Sequence, residues 1–145
     1  MRQIWAFILL SAVAAGSGRA ADVARIGTNT YPSLDAAVAA AQSNDTVVLM
    51  GNAILTNTIS IAVPLSIVSD GSVRTISRTN AVEGMDLIWV HSPGSLTLGQ
   101  ASGNDATPDL ILDGGAVGSV TGGYSFIFAE SANVTVQPGV VLQHY

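Results

Sequence analysis

The sequence predicts an all-β domain wound as a three-faced β-solenoid, with one short helix as a lid at its N-terminal end. Three observations carry this. Short runs rich in Val, Ile, Leu and Thr follow one another from Thr46 to the end of the chain, each closed by Gly, Asn, Asp, Ser or Pro. Leu65, Leu87 and Leu110 begin similar runs at intervals of 22 and 23 residues, close to the length of one coil. Within Ser95-Leu-Thr-Leu98 and Asn133-Val-Thr-Val136 apolar and polar residues alternate, as a strand with one buried face requires. An antiparallel sandwich built from the same runs is the competing reading.

The elements follow in order. Residues 1–20 read as a cleavable signal peptide: Arg2 gives a positive start, Ile4 to Ala15 is almost unbroken apolar sequence, and Gly18 and Ala20 supply the small side chains that signal peptidase requires before Ala21. The apolar run is too short to span a bilayer, which takes about 20 residues, and no later stretch is long enough. The protein is therefore expected to be secreted, extracellular or at the cell surface, with residues 21–145 as its single domain.

The first element of that domain is a helix over 34–42. Ser33 is placed to cap it, Asp35 falls where the helix dipole favours a negative charge, and Leu34, Val38 and Ala41 form one narrow apolar face. So short a helix needs that face packed on something. Ten strand runs follow, at 46–49, 58–61, 65–68, 75–77, 87–90, 95–98, 110–112, 125–128, 133–136 and 140–142. In a solenoid each pairs in parallel with its equivalent one coil above and below, so that inward side chains stack into a continuous apolar column.

Composition narrows the function. After cleavage Arg25, Arg74 and Arg78 face ten Asp and Glu residues, a formal charge of −7, and lysine is absent throughout. Such a surface does not neutralise phosphates, which argues against nucleic acid and anionic lipid as partners. Cysteine is absent too, which removes disulfides, thiolate metal sites and thiol chemistry.

The order of elements Tyr31-Pro-Ser-Leu-Asp-Ala-Ala-Val-Ala-Ala-Ala41, Asn44-Asp-Thr-Val-Val-Leu49, Thr58-Ile-Ser-Ile61, Pro64-Leu-Ser-Ile-Val-Ser-Asp-Gly71 and Thr75-Ile-Ser-Arg78 resembles the N-terminal cap and first rungs of right-handed parallel β-helix proteins of the pectin-lyase-like superfamily. The stretches from Leu87 to Gly99, Leu110 to Val117 and Ser125 to Gln143 are similar to repeats of large bacterial cell-surface, adhesin-like β-helix proteins. The resemblance covers nearly all of 30–145. It implies a right-handed parallel β-helix whose N-terminal helix covers the open end of the coil. Asn44-Asp45 stands where the family often has Gly-Asp, a tolerated change because Asn adopts the left-handed turn conformation. Nothing after Val140-Val-Leu142 resembles a C-terminal cap, so an N-terminal fragment is expected; the alternative is a chain that closes its open end by self-association.

Candidate chemistry is sparse. The lyases of that superfamily use a basic residue with clustered calcium-holding acids, and its hydrolases use grouped aspartates. Here Asp70, Glu83, Asp86, Asp105, Asp109, Asp113 and Glu130 are scattered. Asp109 and Asp113 are the best pair but flank a strand, and calcium held by Asp105, Asp109 and Asp113 matches no known loop spacing, so solvated turn carboxylates are the favoured reading. His91 and His144 are lone histidines without ligand-spaced neighbours and read as surface or turn residues. Gly114-Gly115, Gly118 and Gly122-Gly123 lack any nucleotide-binding pattern and read as a loop. Trp89 and Tyr124 offer aromatic faces to a sugar, against a favoured reading as core or rung-edge packing. Thr56-Asn-Thr58 has the spacing of ice-binding ladders but does not recur in later rungs. Asn44-Asp-Thr46 and Asn133-Val-Thr135 fit the glycosylation sequon.

The sequence thus assigns no catalytic, cofactor-binding or metal residue and no cofactor. It points to a structural or binding module, adhesin-like and glycan-contacting, that self-associates through an uncapped last rung. The alternative is the N-terminal part of a polysaccharide lyase or glycoside hydrolase whose active rungs lie beyond residue 145.

Overall fold

The computed structural model describes residues 21–79, 86–103, 107–115 and 125–144. The signal-peptide segment therefore lies outside the described residues, as do Glu83, Asp105, Gly118, Gly122, Gly123 and Tyr124.

The chain is mostly β. Strands β1 (Ala24–Ile26) and β2 (Asn29–Tyr31) form a hairpin, joined through Gly27 at φ 56°, and helix α1 (Leu34–Ala40) follows. Ser33 caps α1 as expected, its hydroxyl accepting from the Ala36 N–H at 3.1 Å. The helix is two residues shorter than predicted because Ala41 is already extended and the Gln42 N–H turns to the Asp45 carboxylate at 2.7 Å. Leu34, Ala37 and Val38 are its buried residues, packed with the core against β1 to β5.

The remaining strands are β3 (Asp45–Leu49), β4 (Ala53–Leu55), β5 (Ile59–Ile61), β6 (Pro64–Ser69), β7 (Arg74–Arg78), β8 (Ile88–His91), β9 (Ser95–Leu98), β10 (Leu110–Asp113), β11 (Ile127–Glu130), β12 (Asn133–Val136) and β13 (Val140–Gln143). They visit three sheets in turn, so that each strand pairs in parallel with the one three places on. The orders are β12-β9-β6-β3-β1-β2, β13-β10-β7-β4 and β11-β8-β5. Among the described residues only β1 pairs antiparallel, with β2 and β3. These parallel pairings set aside the antiparallel sandwich.

Each of the ten predicted runs overlaps a strand, but the run at 125–128 is displaced by two residues, since β11 begins at Ile127. Three further strands, β1, β2 and β4, were not predicted; each has only three residues, too few to establish a period. The 22- and 23-residue repeat is corrected. Leu65, Leu87 and Leu110 are not equivalent, for Leu65 pairs with Leu96, Leu87 leads into β8 and Leu110 pairs with Arg74. The true offset in the first sheet grows from 20 residues (Asp45 to Leu65) through 31 (Leu65 to Leu96) to 38 (Leu96 to Val134). The corners between strands vary in length while the strands stay short, and a fixed period cannot register that.

Inward positions of all three sheets meet in one core. Val47, Ile67 and Leu98 from the first sheet, Ile76, Leu110 and Leu112 from the second and Ile88 and Val90 from the third are fully buried. Asn44 has φ 69°, the left-handed conformation expected of it.

Candidate functional site

Alternation decides what the third sheet shows to solvent. In β5, β8 and β11 the inward places belong to Ile59 and Ile61, Ile88 and Val90, and Ile127 and Ala129, which leaves Ser60, Trp89 and Phe128 facing out. Parallel register aligns these three in one column, with His91 and Glu130 aligned beside it. Trp89 is 40% exposed and Phe128 45%. Their ring centroids lie 6.5 Å apart with planes at 51°, and the His91 ring lies 5.4 Å from Trp89. The Ser60 hydroxyl and His91 Nε2 are hydrogen-bonded at 2.9 Å.

This corrects the reading of Trp89 as core or rung-edge packing. Its run, Leu87-Ile-Trp-Val90, looks uniformly apolar, but Ile59-Ser-Ile61, one strand earlier, already shows a polar residue at the equivalent place. The pairing of Phe128 with Trp89 needed the register and was missed. A partly exposed indole and phenyl, flanked by a hydroxyl, an imidazole and a carboxylate, form a surface that stacks on an apolar ring face while exchanging hydrogen bonds at its rim.

The first sheet carries a different outward column. Thr46, Ser66, Thr97 and Thr135 stand in register across β3, β6, β9 and β12. Thr56-Asn-Thr58, whose spacing matches a ladder without recurring, belongs instead to the turn leading into β5. Beside this column lies an open concavity of about 560 Å³, lined by Arg25, Thr46, Val48, Val68, Asp70 and Gln100 among others. A second, of about 360 Å³, shares Gly71 and Gln100 with it and reaches Asp109.

Among the described residues the acidic side chains do not converge. Asp109 precedes β10 and Asp113 ends it, so that the strand holds them about 13 Å apart. Asp109 Oδ1 is buried without a hydrogen-bond partner. Asp113 is fully engaged: it accepts from Gln143 Nε2 at 2.9 Å and from the Gly115 N–H at 2.8 Å, and meets His144 Nδ1 at 2.9 Å. The Gln143 bond, helped by the other two, holds its carboxyl below the usual range. Asp70 forms a bidentate pair with Arg74, at 2.9 and 2.7 Å, and the guanidinium brings its carboxyl down to about 2. A carboxylate held so firmly ionised is a poor general acid. Asp86 precedes β8 and accepts from the Ser125 N–H at 2.8 Å. No cluster of three or more metal-ligating side chains forms among the described residues.

No helix among the described residues is long and apolar enough to cross a membrane. Comparison with protein-family models, with curated proteins and with solved structures finds no match to this chain.

Proposed function

We propose that this chain is a secreted or cell-surface right-handed parallel β-helix module, adhesin-like, that binds a glycan through the outward face of β5, β8 and β11 and has no catalytic activity of its own. The progression of strands through three parallel sheets around one core supports the β-helix, with α1 as its N-terminal lid. The observation that carries the binding reading is the side-by-side exposure of Trp89 and Phe128 on a regular sheet. Folding does not need two large aromatic rings in water, since the inward places are filled by aliphatic residues.

Trp89 is the single tryptophan of residues 21–145 and reports directly on its own face. Purified 21–145, titrated with soluble oligosaccharides, is expected to give a saturable change in tryptophan emission that weakens at least tenfold in Phe128→Ala, where the reporter remains. Loss of one stacking partner is worth about 1–3 kcal/mol at such sites. Unchanged emission together with no retention on a glycan array would sink the proposal. Export is checked by sequencing the N-terminus of the released protein, expected at Ala21.

A further inference from the structure

We infer that the aromatic face selects uncharged pyranose chains and rejects acidic ones, namely uronates, sulfated glycans and sialosides; this rests on the glycan-binding reading above and specifies its ligand class. Charge placement carries this inference. A sugar carboxylate or sulfate in a protein site is ordinarily met by Arg or Lys, which form short charge-assisted hydrogen bonds to it. Residues 21–145 contain three such side chains, and none is on this face. Arg25 belongs to β1 and lines the concavity beside the first sheet. Arg74 is in the second sheet, in its bidentate pair with Asp70. Arg78 ends β7 in that same sheet and donates from Nε to the Gly114 carbonyl at 2.7 Å.

The charged groups near the aromatic column are acidic instead. Glu130 is exposed at the end of β11, directly paired in register with His91, and Asp86 precedes β8. Within a formal charge of −7 for the whole domain they repel an anion approaching Trp89. The same groups suit hydroxyls: the Glu130 carboxylate accepts from sugar O–H groups, and the Ser60–His91 pair both donates and accepts. The tilt of 51° between the Trp89 and Phe128 rings further favours a single twisted chain, whose successive sugar faces turn with the rings, over a flat crystalline surface.

The test sets neutral hexasaccharides (cellohexaose, mannohexaose, maltohexaose and chitohexaose) against hexagalacturonate, hexamannuronate and a heparin hexasaccharide. Trp89 emission and titration calorimetry are read at pH 8 in low salt and again in about 0.5 M NaCl. At least one neutral probe is expected to bind about tenfold or more tighter than every acidic probe at low salt. The gap is expected to narrow in high salt, because screening weakens repulsion between exposed charges. Glu130→Lys, an exposed position, is expected to raise affinity for the acidic probes several-fold while circular dichroism stays unchanged. Acidic probes that bind as tightly as neutral ones overturn the charge inference and leave the glycan reading standing. If no probe of either kind binds, both fall.

Discussion

The flanked strands β8, β9 and β10 and the terminal strands β11, β12 and β13 share one pattern and one register, yet differ in what they bury. In the flanked strands the inward pairs Ile88 and Val90, Leu96 and Leu98, and Leu110 and Leu112 are all at most 1% exposed. Their parallel partners are Ile127 and Ala129, Val134 and Val136, and Val140 and Leu142, of which Val136 and Leu142 are 46% and 42% exposed. Alternation therefore fixes which way a side chain points, and burial comes from having a strand on both sides. The stability of such an architecture resides in contacts between neighbouring strands of a sheet more than in any strand alone.

The largest effect that tests this contrast is Leu112→Ala against Leu142→Ala. Leu112 is completely enclosed and its truncation is expected to cost about 2–5 kcal/mol, the range for cavities in close-packed cores. Leu142 has less apolar surface to lose, and its truncation is expected to cost under about 1 kcal/mol. Urea denaturation of 21–145 measures both. Equal losses would break the comparison and mean that the terminal strands are covered in solution. Sedimentation at several concentrations reads independently whether a second copy of the chain supplies that cover.

The next effect concerns how the terminal strands are held. A Cβ on Gly103 would run into the Pro138 carbonyl, so the corner after β9 and the corner before β13 approach more closely than any other residue allows. Gly103→Ala is expected to cost about 1–3 kcal/mol by forcing the two corners apart. The damage should be local. Amides of β12 and β13 and the Gln137 N–H, which donates to the Leu98 carbonyl at 2.9 Å, should exchange faster, while those of β3 and β6 keep their protection. Uniform loss of protection would show instead that the terminal strands do not open separately.

Much of this was legible in sequence. The strand runs, the Ser33 cap and the inward places of β9 and β12 follow from side-chain alternation and local hydrogen bonding, which act within a few residues. What was not legible is everything that depends on register. The equivalence of Leu65 with Leu96 rather than with Leu87 is set by corners of unequal length, and those corners carry no periodic signal. The same gap hid the aromatic face. Trp89 within Leu87-Ile-Trp-Val90 looks like core until Ile88 and Val90 are seen to take the inward places, and Phe128 joins it only through the pairing of β8 with β11. The column Thr46, Ser66, Thr97 and Thr135 was invisible for that reason too.

The smallest expected effect is on acid stability, and it again divides the molecule. Asp70 pairs with Arg74 at the corner between β6 and β7, whereas Asp113 ties the end of β10 to Gln143, the last residue of the terminal strand β13, and to His144 just after it. Both carboxyls are lowered in the folded protein, Asp70 from the ordinary 3.8 to about 2 by its hydrogen bonds to Arg74, and Asp113 chiefly by its bond from Gln143. A lowered folded value means that stability is fully present above the unfolded value near pH 4 and is lost as pH falls through the folded one. Urea midpoints are therefore expected to hold level from pH 7 to about 5 and to decline between about 4 and 2. Asp113→Asn should lower the midpoint at pH 6 and flatten the decline, with faster amide exchange confined to β13. Asp70→Asn should flatten it without touching β13, and its effect should shrink in high salt because the Asp70–Arg74 pair is exposed. An acid decline that keeps its full slope in the double variant would assign it to other carboxylates and leave the attachment of β13 to apolar contact and backbone pairing alone.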